Sequence, residues 1–279
     1  MNEIDNYLNS IGDFTLRRRV KNILSHIPNK GSLNILDFGC GEGVYTYIIN
    51  KITNHKITSL DYDESIISNL EKLNLNQNVK KIILDAEKDS FPFRDQEFDL
   101  IILSEVLEHL YDDVSLLSKL HRYLKNDGKI IITVPHYFYP INIDPFNGIR
   151  RIFKMGNFNP KNTFLGGMWS YDHKRLYKSS DLSNLEKSNN YKISYQVGLT
   201  KYVFPFYYHI LRSVKILMDL SPNAKITQSL NKFNPKKNLL TSIFKLFYLV
   251  FELYDKLNKD FYETKGKFVT YLIILEKNN

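Results

Sequence analysis

Three glycines at alternate positions, Gly39, Gly41 and Gly43, lie between an apolar run that closes on an acid, Ile35-Leu36-Asp37-Phe38, and the helix-like start Val44-Tyr45-Thr46. Such a run reads as a buried parallel strand. Glycines directly after it give the backbone freedom of a sharp strand-to-helix turn where a ligand must touch main chain. Dinucleotide enzymes use Gly-x-Gly-x-x-Gly at this place to hold a pyrophosphate at a helix N-terminus. Here the spacing is Gly-x-Gly-x-Gly, and Asp37 would set negative charge beside a phosphate. The loop suits a cationic ligand better.

Further acids close further strands. Lys56-Ile57-Thr58-Ser59-Leu60-Asp61 ends in a carboxylate 24 residues after Asp37, close to the spacing of roughly twenty at which nucleotide-binding α/β folds put a carboxylate on ribose hydroxyls. Lys81-Ile82-Ile83-Leu84-Asp85 repeats the pattern and continues into Ala86. Phe98 to Leu103 is a fourth apolar strand, running into Ser104-Glu105-Val106-Leu107-Glu108-His109-Leu110. A helix over about 113–124 is followed by an Asp127-Gly128 turn and a fifth strand ending at Pro135. Any one of these acids reads equally well as a helix cap or turn residue. Together, ordered around a glycine turn, they satisfy the rule that ligands of open α/β sheets lie beyond the carboxyl ends of the strands.

In these motifs the chain resembles the class I S-adenosylmethionine-dependent methyltransferases, whose first motif is an acid followed by Gly-x-Gly-x-Gly and whose later segment reads Glu-x-Leu-Glu-His. The resemblance covers about residues 35–135, and departs from the family's usual Pro-Gly or Gly-Gly turn at Asp127-Gly128. It implies an α/β, Rossmann-like, seven-stranded and mostly parallel sheet with helices on both faces, and an α-helical insertion between the last two strands. It implies S-adenosyl-L-methionine as cofactor, bound by Asp37, Gly39, Gly41, Gly43, Asp61, Tyr62, Asp85, Ala86 and Ser104. Asp61 would take the ribose diol, Tyr62 would lie beside the adenine, and Asp85 would accept from the adenine amino group. A sulfonium is already activated, so the protein's task is alignment, and no metal is required. Transfer to a hydroxyl needs a base, most often histidine. His136, directly after the fifth strand, is the first candidate, followed by His173 and His109; each reads equally well as a packing or capping histidine.

The remaining segments must position these groups. Phe14 to Ile27 has helical spacing and is expected to cover the sheet, with Arg17, Arg18 and Arg19 on a solvated face. Tyr191 to Val197 and Lys267 to Glu276 read as the sixth and seventh strands. The 279 residues then form one domain, 1–279, with acceptor-cap insertions at about 137–175 and 199–265. The single cysteine, Cys40, excludes an internal disulfide and a cysteine-based zinc cluster, and reads as a small residue tolerated in the glycine loop. The start Met1-Asn2-Glu3-Ile4-Asp5 lacks an apolar signal region, so a cytoplasmic location is expected.

Basicity is local. Residues 1–199 carry 25 Lys and Arg against 24 Asp and Glu, whereas residues 200–279 carry 13 against 6. The basic part holds two apolar stretches, 204–218 and 239–254, each shorter than the roughly 20 residues that span a bilayer. The expectation is an amphipathic surface docking on anionic membrane through Phe244, Phe247, Leu249 and Phe251, with Lys225, Lys232, Lys236, Lys237 and Lys245 near headgroups. Burial against the core or a second copy in a homodimer is the equal alternative. No RNA or DNA module is legible, and the aromatics sit inside apolar runs, so nucleic acid is not an expected partner. The acceptor is expected to be a small molecule, apolar or lipid-linked, such as a quinone-type ring or a lipid-carried glycan, methylated at oxygen or carbon. A soluble glycan or metabolite acceptor and a non-catalytic cofactor-binding module are the alternatives.

Overall fold

Branched aliphatic residues fill every inner strand, and the topology explains why both faces need them. In the computed structural model, which describes residues 3–156, 158, 164–169, 173–210, 249–258 and 261–278, β1 (Asn34–Phe38) lies between β2 (Lys56–Asp61) and β4 (Phe98–Ser104). β3 (Val79–Ile83) flanks β2 and β5 (Leu124–Pro135) flanks β4, all parallel. β7 (Thr270–Lys277) runs antiparallel between β5 and β6 (Tyr191–Leu199), giving the order β3-β2-β1-β4-β5-β7-β6. The chain reverses its direction of travel across the sheet between β1 and β4, and a ligand crevice forms at such a reversal.

Side chains alternate between two apolar layers, as a strand's period of two demands. Leu36, Ile101, Ile130 and Ile132 face one layer with Leu116, Leu117 and Leu120 of α5 (Asp113–Tyr123) and Leu182 and Leu185 of α7 (Ser179–Ser188). Ile35, Ile102 and Ile131 face the other, with Val20 and Ile23 of α2 (Phe14–Ser25) and Ile48 and Ile49 of α3 (Val44–Ile52). α4 (Glu64–Glu71) starts at the N-cap Asp63, whose carboxylate accepts from Ser65 N–H. α1 (Glu3–Ser10) precedes α2 and was not legible as a helix in the sequence.

The arginine run of α2 departs from the solvated face expected of it. Arg17 donates to Ile11 O; Arg18 donates to Asn258 O and pairs with Asp255 at 2.7 Å; and Arg19 pairs with Glu105 at 2.7 Å. Each guanidinium is consumed in stapling α2 to a neighbouring segment, which the one-dimensional pattern does not reveal. At the N-terminus of the helix, Asp13 caps Thr15 and Leu16, and Tyr207 binds both Asp13 and the Phe14 N–H.

The two insertions share a third apolar core. Tyr139, Ile143, Met168 and Trp169 from the first pack with Val203, Tyr207 and Phe251 from the second and with Phe14 of α2. Phe251 is therefore a core residue, in correction of its expected place on a membrane-facing surface: its helix, over 249–257, turns Phe251 inward and leaves Leu249, Leu253 and Leu257 exposed at intervals of four. Phe244, Phe247, Lys225, Lys232, Lys236, Lys237 and Lys245 lie outside the described residues. Among the described residues no helix is long and apolar enough to cross a membrane.

Candidate active site

The glycine loop turns because its backbone leaves the right-handed region three times. Gly39, Gly41 and Gly43 have φ of 69°, 50° and 74°, a region that costs an L-residue roughly 1–2 kcal/mol. Their surroundings differ. A Cβ at Gly39 would meet Val106 at 2.6 Å and one at Gly43 would meet Leu70 at 2.1 Å, whereas one at Gly41 would meet nothing within 4 Å. Two glycines are thus required by the protein's own packing, and Gly41 borders open space at the crevice. Gly39 and Cys40 donate to Leu60 O, tying the loop to β2. Cys40 is buried, and burial raises its thiol well above the ordinary range, so it packs rather than reacts.

The acids divide into scaffold and edge. Asp37 is buried and accepts from Thr46 N–H at 3.2 Å and Thr46 Oγ1 at 2.6 Å, satisfying an N-terminal donor of α3; Thr46 Oγ1 also lies 2.6 Å from Ser59 Oγ. Burial pushes the Asp37 carboxyl up to about 6, against the pull of the Thr46 bonds. Asp61 accepts from Gly41 N–H at 3.0 Å through Oδ2 and from Asp63 N–H at 3.1 Å through Oδ1. Each oxygen keeps a lone pair beyond the one those bonds use. Tyr62, beside it, is 76% exposed.

Asp85 stands two residues past β3, accepting from Glu87 N–H and from Lys88 at 2.6 Å, and this lysine holds its carboxyl below the usual range. Ala86 is partly buried against the β-sheet core. Ser104 Oγ lies 2.9 Å from Tyr45 OH and 3.0 Å from Thr133 Oγ1, so the end of β4 is tied to the first turn of α3.

The segment after β4 is unusual. Glu105 has φ of 56°, a left-handed conformation for a side chain with no local compensation of the Asn or Asp kind. It is held by Arg19, itself a buried cation, on α2. Leu107–His109 then forms a single 3-10 turn whose Glu108 is fully buried, with no hydrogen-bond partner for either carboxylate oxygen among the described residues. Burial, reinforced by Glu105, raises the Glu108 carboxyl well above its ordinary value. The His109 and His173 rings meet edge to face at 4.8 Å, and His173 Nε2 is 4.0 Å from Glu108 Oε1.

His136 is placed differently from the expectation that it faces the crevice. It is buried in an aromatic box, stacked on Phe268 at 4.2 Å and edge-on to Tyr271 at 4.6 Å, and burial lowers its imidazole to about 4. These rings leave His136 3% exposed in this structure. Of the three histidines, the structure brings His109 and His173 together at the end of β4 and leaves His136 apart. From sequence, Glu105 and Glu108 were legible only as part of the Glu-x-Leu-Glu-His segment and Arg19 only as part of an arginine run, with no site role given to them. Two glutamates and a histidine within five residues of a strand end was the available signal.

A family model for a methyltransferase domain matches residues 36–132, from β1 to β5. Over that stretch the chain carries the methyltransferase domain that its motifs resemble. Among relatives of this methyltransferase domain, the mitochondrial ubiquinone biosynthesis O-methyltransferase of Dictyostelium discoideum is 29% identical over 62% of this chain and 54% of its own length. The ubiquinone biosynthesis O-methyltransferase of Coxiella burnetii is 25% identical over 75% of this chain and 80% of its own. The match thus spans about half the length of the first relative. A S-adenosylmethionine-dependent methyltransferase from Archaeoglobus fulgidus, 16% identical, superposes with a TM-score of 0.51 over 93% of this chain and 91% of that one, a likeness of fold.

Proposed function

We propose that the chain binds S-adenosylmethionine across the carboxyl ends of β1, β2 and β3 and transfers its methyl group to an oxygen of an apolar or lipid-linked small molecule. The open side of Gly41 carries this reading, because its two neighbouring glycines are explained by protein packing and it is not. Asp61, with lone pairs left on both oxygens, would take the ribose diol, exposed Tyr62 would cover the adenine, and Asp85 and Ala86 would meet its edge. When bound, the cofactor supplies a methyl group activated by a sulfonium. The protein's own contribution is to fix the approach of the acceptor and to accept a proton from it. His109, whose N–H donates to Val106 O, and His173, whose ring meets that of His109 at 4.8 Å, belong to the turn that packs on Gly39 through Val106 and are better placed for that proton than His136.

The apolar acceptor is supported by two kinds of observation. The relatives named for ubiquinone biosynthesis act in making a lipid-tailed ring. Both insertions also present greasy residues outward: Phe146, Ile149, Ile152 and Phe153 on and after α6 (Pro145–Ile152), and Leu249, Leu253 and Leu257 on the 249–257 helix. Such a surface suits a peripheral site where a lipid-carried substrate is picked up. The chain is incubated with labelled S-adenosylmethionine and a panel of prenylated phenols, lipid-linked glycans and soluble sugars. Label in a prenylated phenol supports the proposal; label in soluble acceptors alone overturns its apolar part, and release of no S-adenosylhomocysteine with any acceptor favours a binding module.

A further inference from the structure

We propose that the strap 201–206, which leads from β6 into the second insertion, is a gate that opens to admit an apolar, ring-bearing acceptor into the cleft between it and the first turn of α2. The chemistry of the guest rests on the apolar-acceptor reading above; the opening of the strap does not. Thr200 precedes the strap with φ of 63°, and Phe206 closes it with φ of 60°. Neither is glycine, and a β-branched residue held left-handed, as Thr200 is, is a genuine outlier. Strain of this kind persists only where the surroundings over-determine it, and it gathers at ligand clamps and switch segments. Here it sits at both ends of one short segment.

Two asparagines from different parts of the chain hold the strap shut. Asn258 Oδ1 accepts from the Lys201 and Tyr202 N–H groups, both at 2.8 Å, and Asn258 Nδ2 donates to Tyr202 O at 2.7 Å. Asn142, in the first insertion, donates through Nδ2 to Val203 O at 2.6 Å, and its own carbonyl accepts from Phe206 N–H at 2.8 Å. Asn258 is buried, and Arg18 donates to its carbonyl at 2.7 Å, so this pin is itself tied to α2. Bonds to side-chain amides can be given up without undoing the sheet beside them. The pins oppose the strain, and the strap is poised between the two.

The cleft has the character of a small-molecule site. Phe14 and Thr15 of α2, Val203, Phe204, Tyr207 and Phe251 line it, and the Phe251 ring meets those of Phe204 at 5.4 Å and Tyr207 at 5.0 Å. Aromatic walls with few polar groups suit the face of a flat apolar guest. As the strap stands, the cleft has room for about one water, so a ring enters only when the strap moves. Inward, the cleft leads toward the crevice. Thr15 Oγ1 lies 3.5 Å from Tyr208 OH, and one turn along the same face of α2 is Arg19, paired with Glu105 just past β4.

Amide hydrogen exchange of the full chain tests the gate. Thr200→Gly removes the strain that opening relieves, so exchange of the strap amides should slow by roughly fivefold, the left-handed cost less the freedom glycine adds to the open state. Asn258→Ala should speed exchange at Lys201 and Tyr202, which it bonds, and equally at Phe206, which it does not touch. A Phe206 amide that keeps its wild-type rate overturns the proposal, because the strap then does not move as a unit. Should Asn258→Ala fail to fold, Asn142→Ala replaces it, with Lys201 and Tyr202 as the untouched amides. A farnesylated phenol added to wild type should protect Phe14, Thr15 and the segment 251–258, and should bind Thr200→Gly more weakly by the same factor, since a guest that needs the open state loses affinity with its population. No binding, or protection confined to other segments, overturns the proposal. S-adenosylmethionine titrated into the same proteins tests the methyl-transfer reading separately, at a crevice outside the strap.

Discussion

At the ends of β1 and β2 the buried acids accept hydrogen bonds from the backbone, whereas neither carboxylate oxygen of the buried Glu108 after β4 has a hydrogen-bond partner among the described residues, and His173 Nε2 stands 4.0 Å away. Asp37 fixes the start of α3 and Asp61 fixes the glycine loop, each accepting hydrogen bonds from the main chain. Glu108 spends burial without such a return. The first pair makes a crevice that is already formed before any ligand arrives. After β4, Arg175 and Tyr177 both bond Asp113, beside the turn that carries Glu108.

That contrast can be broken most sharply at Arg19, the cation paired with Glu105 next to Glu108. Arg19→Ala strands Glu105 beside Glu108, and loss of one partner of a buried pair costs up to about 3–5 kcal/mol; chemical denaturation should show a large fall in midpoint. A midpoint within error of wild type would mean that Glu105 finds solvent in the variant.

Within the glycine loop, Gly43→Ala should cost about 2–4 kcal/mol of stability, from the left-handed backbone and the 2.1 Å approach to Leu70. Gly41→Ala should cost only the backbone part, about 1–2 kcal/mol. Equal losses in thermal unfolding would show that Gly41 is packed like its neighbours.

Asp61→Ala should weaken S-adenosylmethionine binding by about ten- to a hundredfold, the equivalent of about 1.5–3 kcal/mol for hydrogen bonds to a charged group. Calorimetry of unchanged affinity would confine Asp61 to its backbone role.

The smallest effect concerns pH. His136 has its folded value near 4 against about 6.5 when unfolded, so between those values the unfolded chain binds more protons. Its contribution is full above pH 6.5 and is lost as pH falls toward 4. Asp37 acts oppositely, since its folded value near 6 makes the native state the better proton binder between 3.8 and 6, so its contribution shrinks as pH rises through that range. Replacing His136 with Phe should therefore remove the part of the stability that falls between pH 6.5 and 4, so that the unfolding midpoint of the variant drops less on acidification than that of wild type.

The parallel core was legible because its signals are local. Apolar runs ending in acids, glycines at alternate positions and strand spacing all lie within about a hundred residues, and β1, β2 and β4 fall where the pattern puts them, whereas β5 begins at Leu124 and takes in the expected Asp127-Gly128 turn, and β7 begins three residues after Lys267. β3 runs Val79–Ile83, so it begins two residues before Lys81 and ends two residues short of Asp85, which lies beyond the strand. The arginines of α2 were misread because their partners, Ile11, Asp255, Asn258 and Glu105, come from three other segments, and no periodicity within one helix encodes that. For His136 the position after β5 was legible, but its burial was not, because the rings of Phe268 and Tyr271 that enclose it arrive from the far end of the chain. Glu108 and His109 were visible as a motif, yet their meeting with His173 is a tertiary event.

The central claim is that the space beside Gly41 is where the cofactor lies, and titration of S-adenosylmethionine into wild type and Gly41→Val tests it most directly. The account predicts saturable one-to-one binding to wild type and no detectable heat with Gly41→Val, in protein whose circular dichroism shows the same fold. Binding of equal strength by the two, or none by wild type, would contradict it.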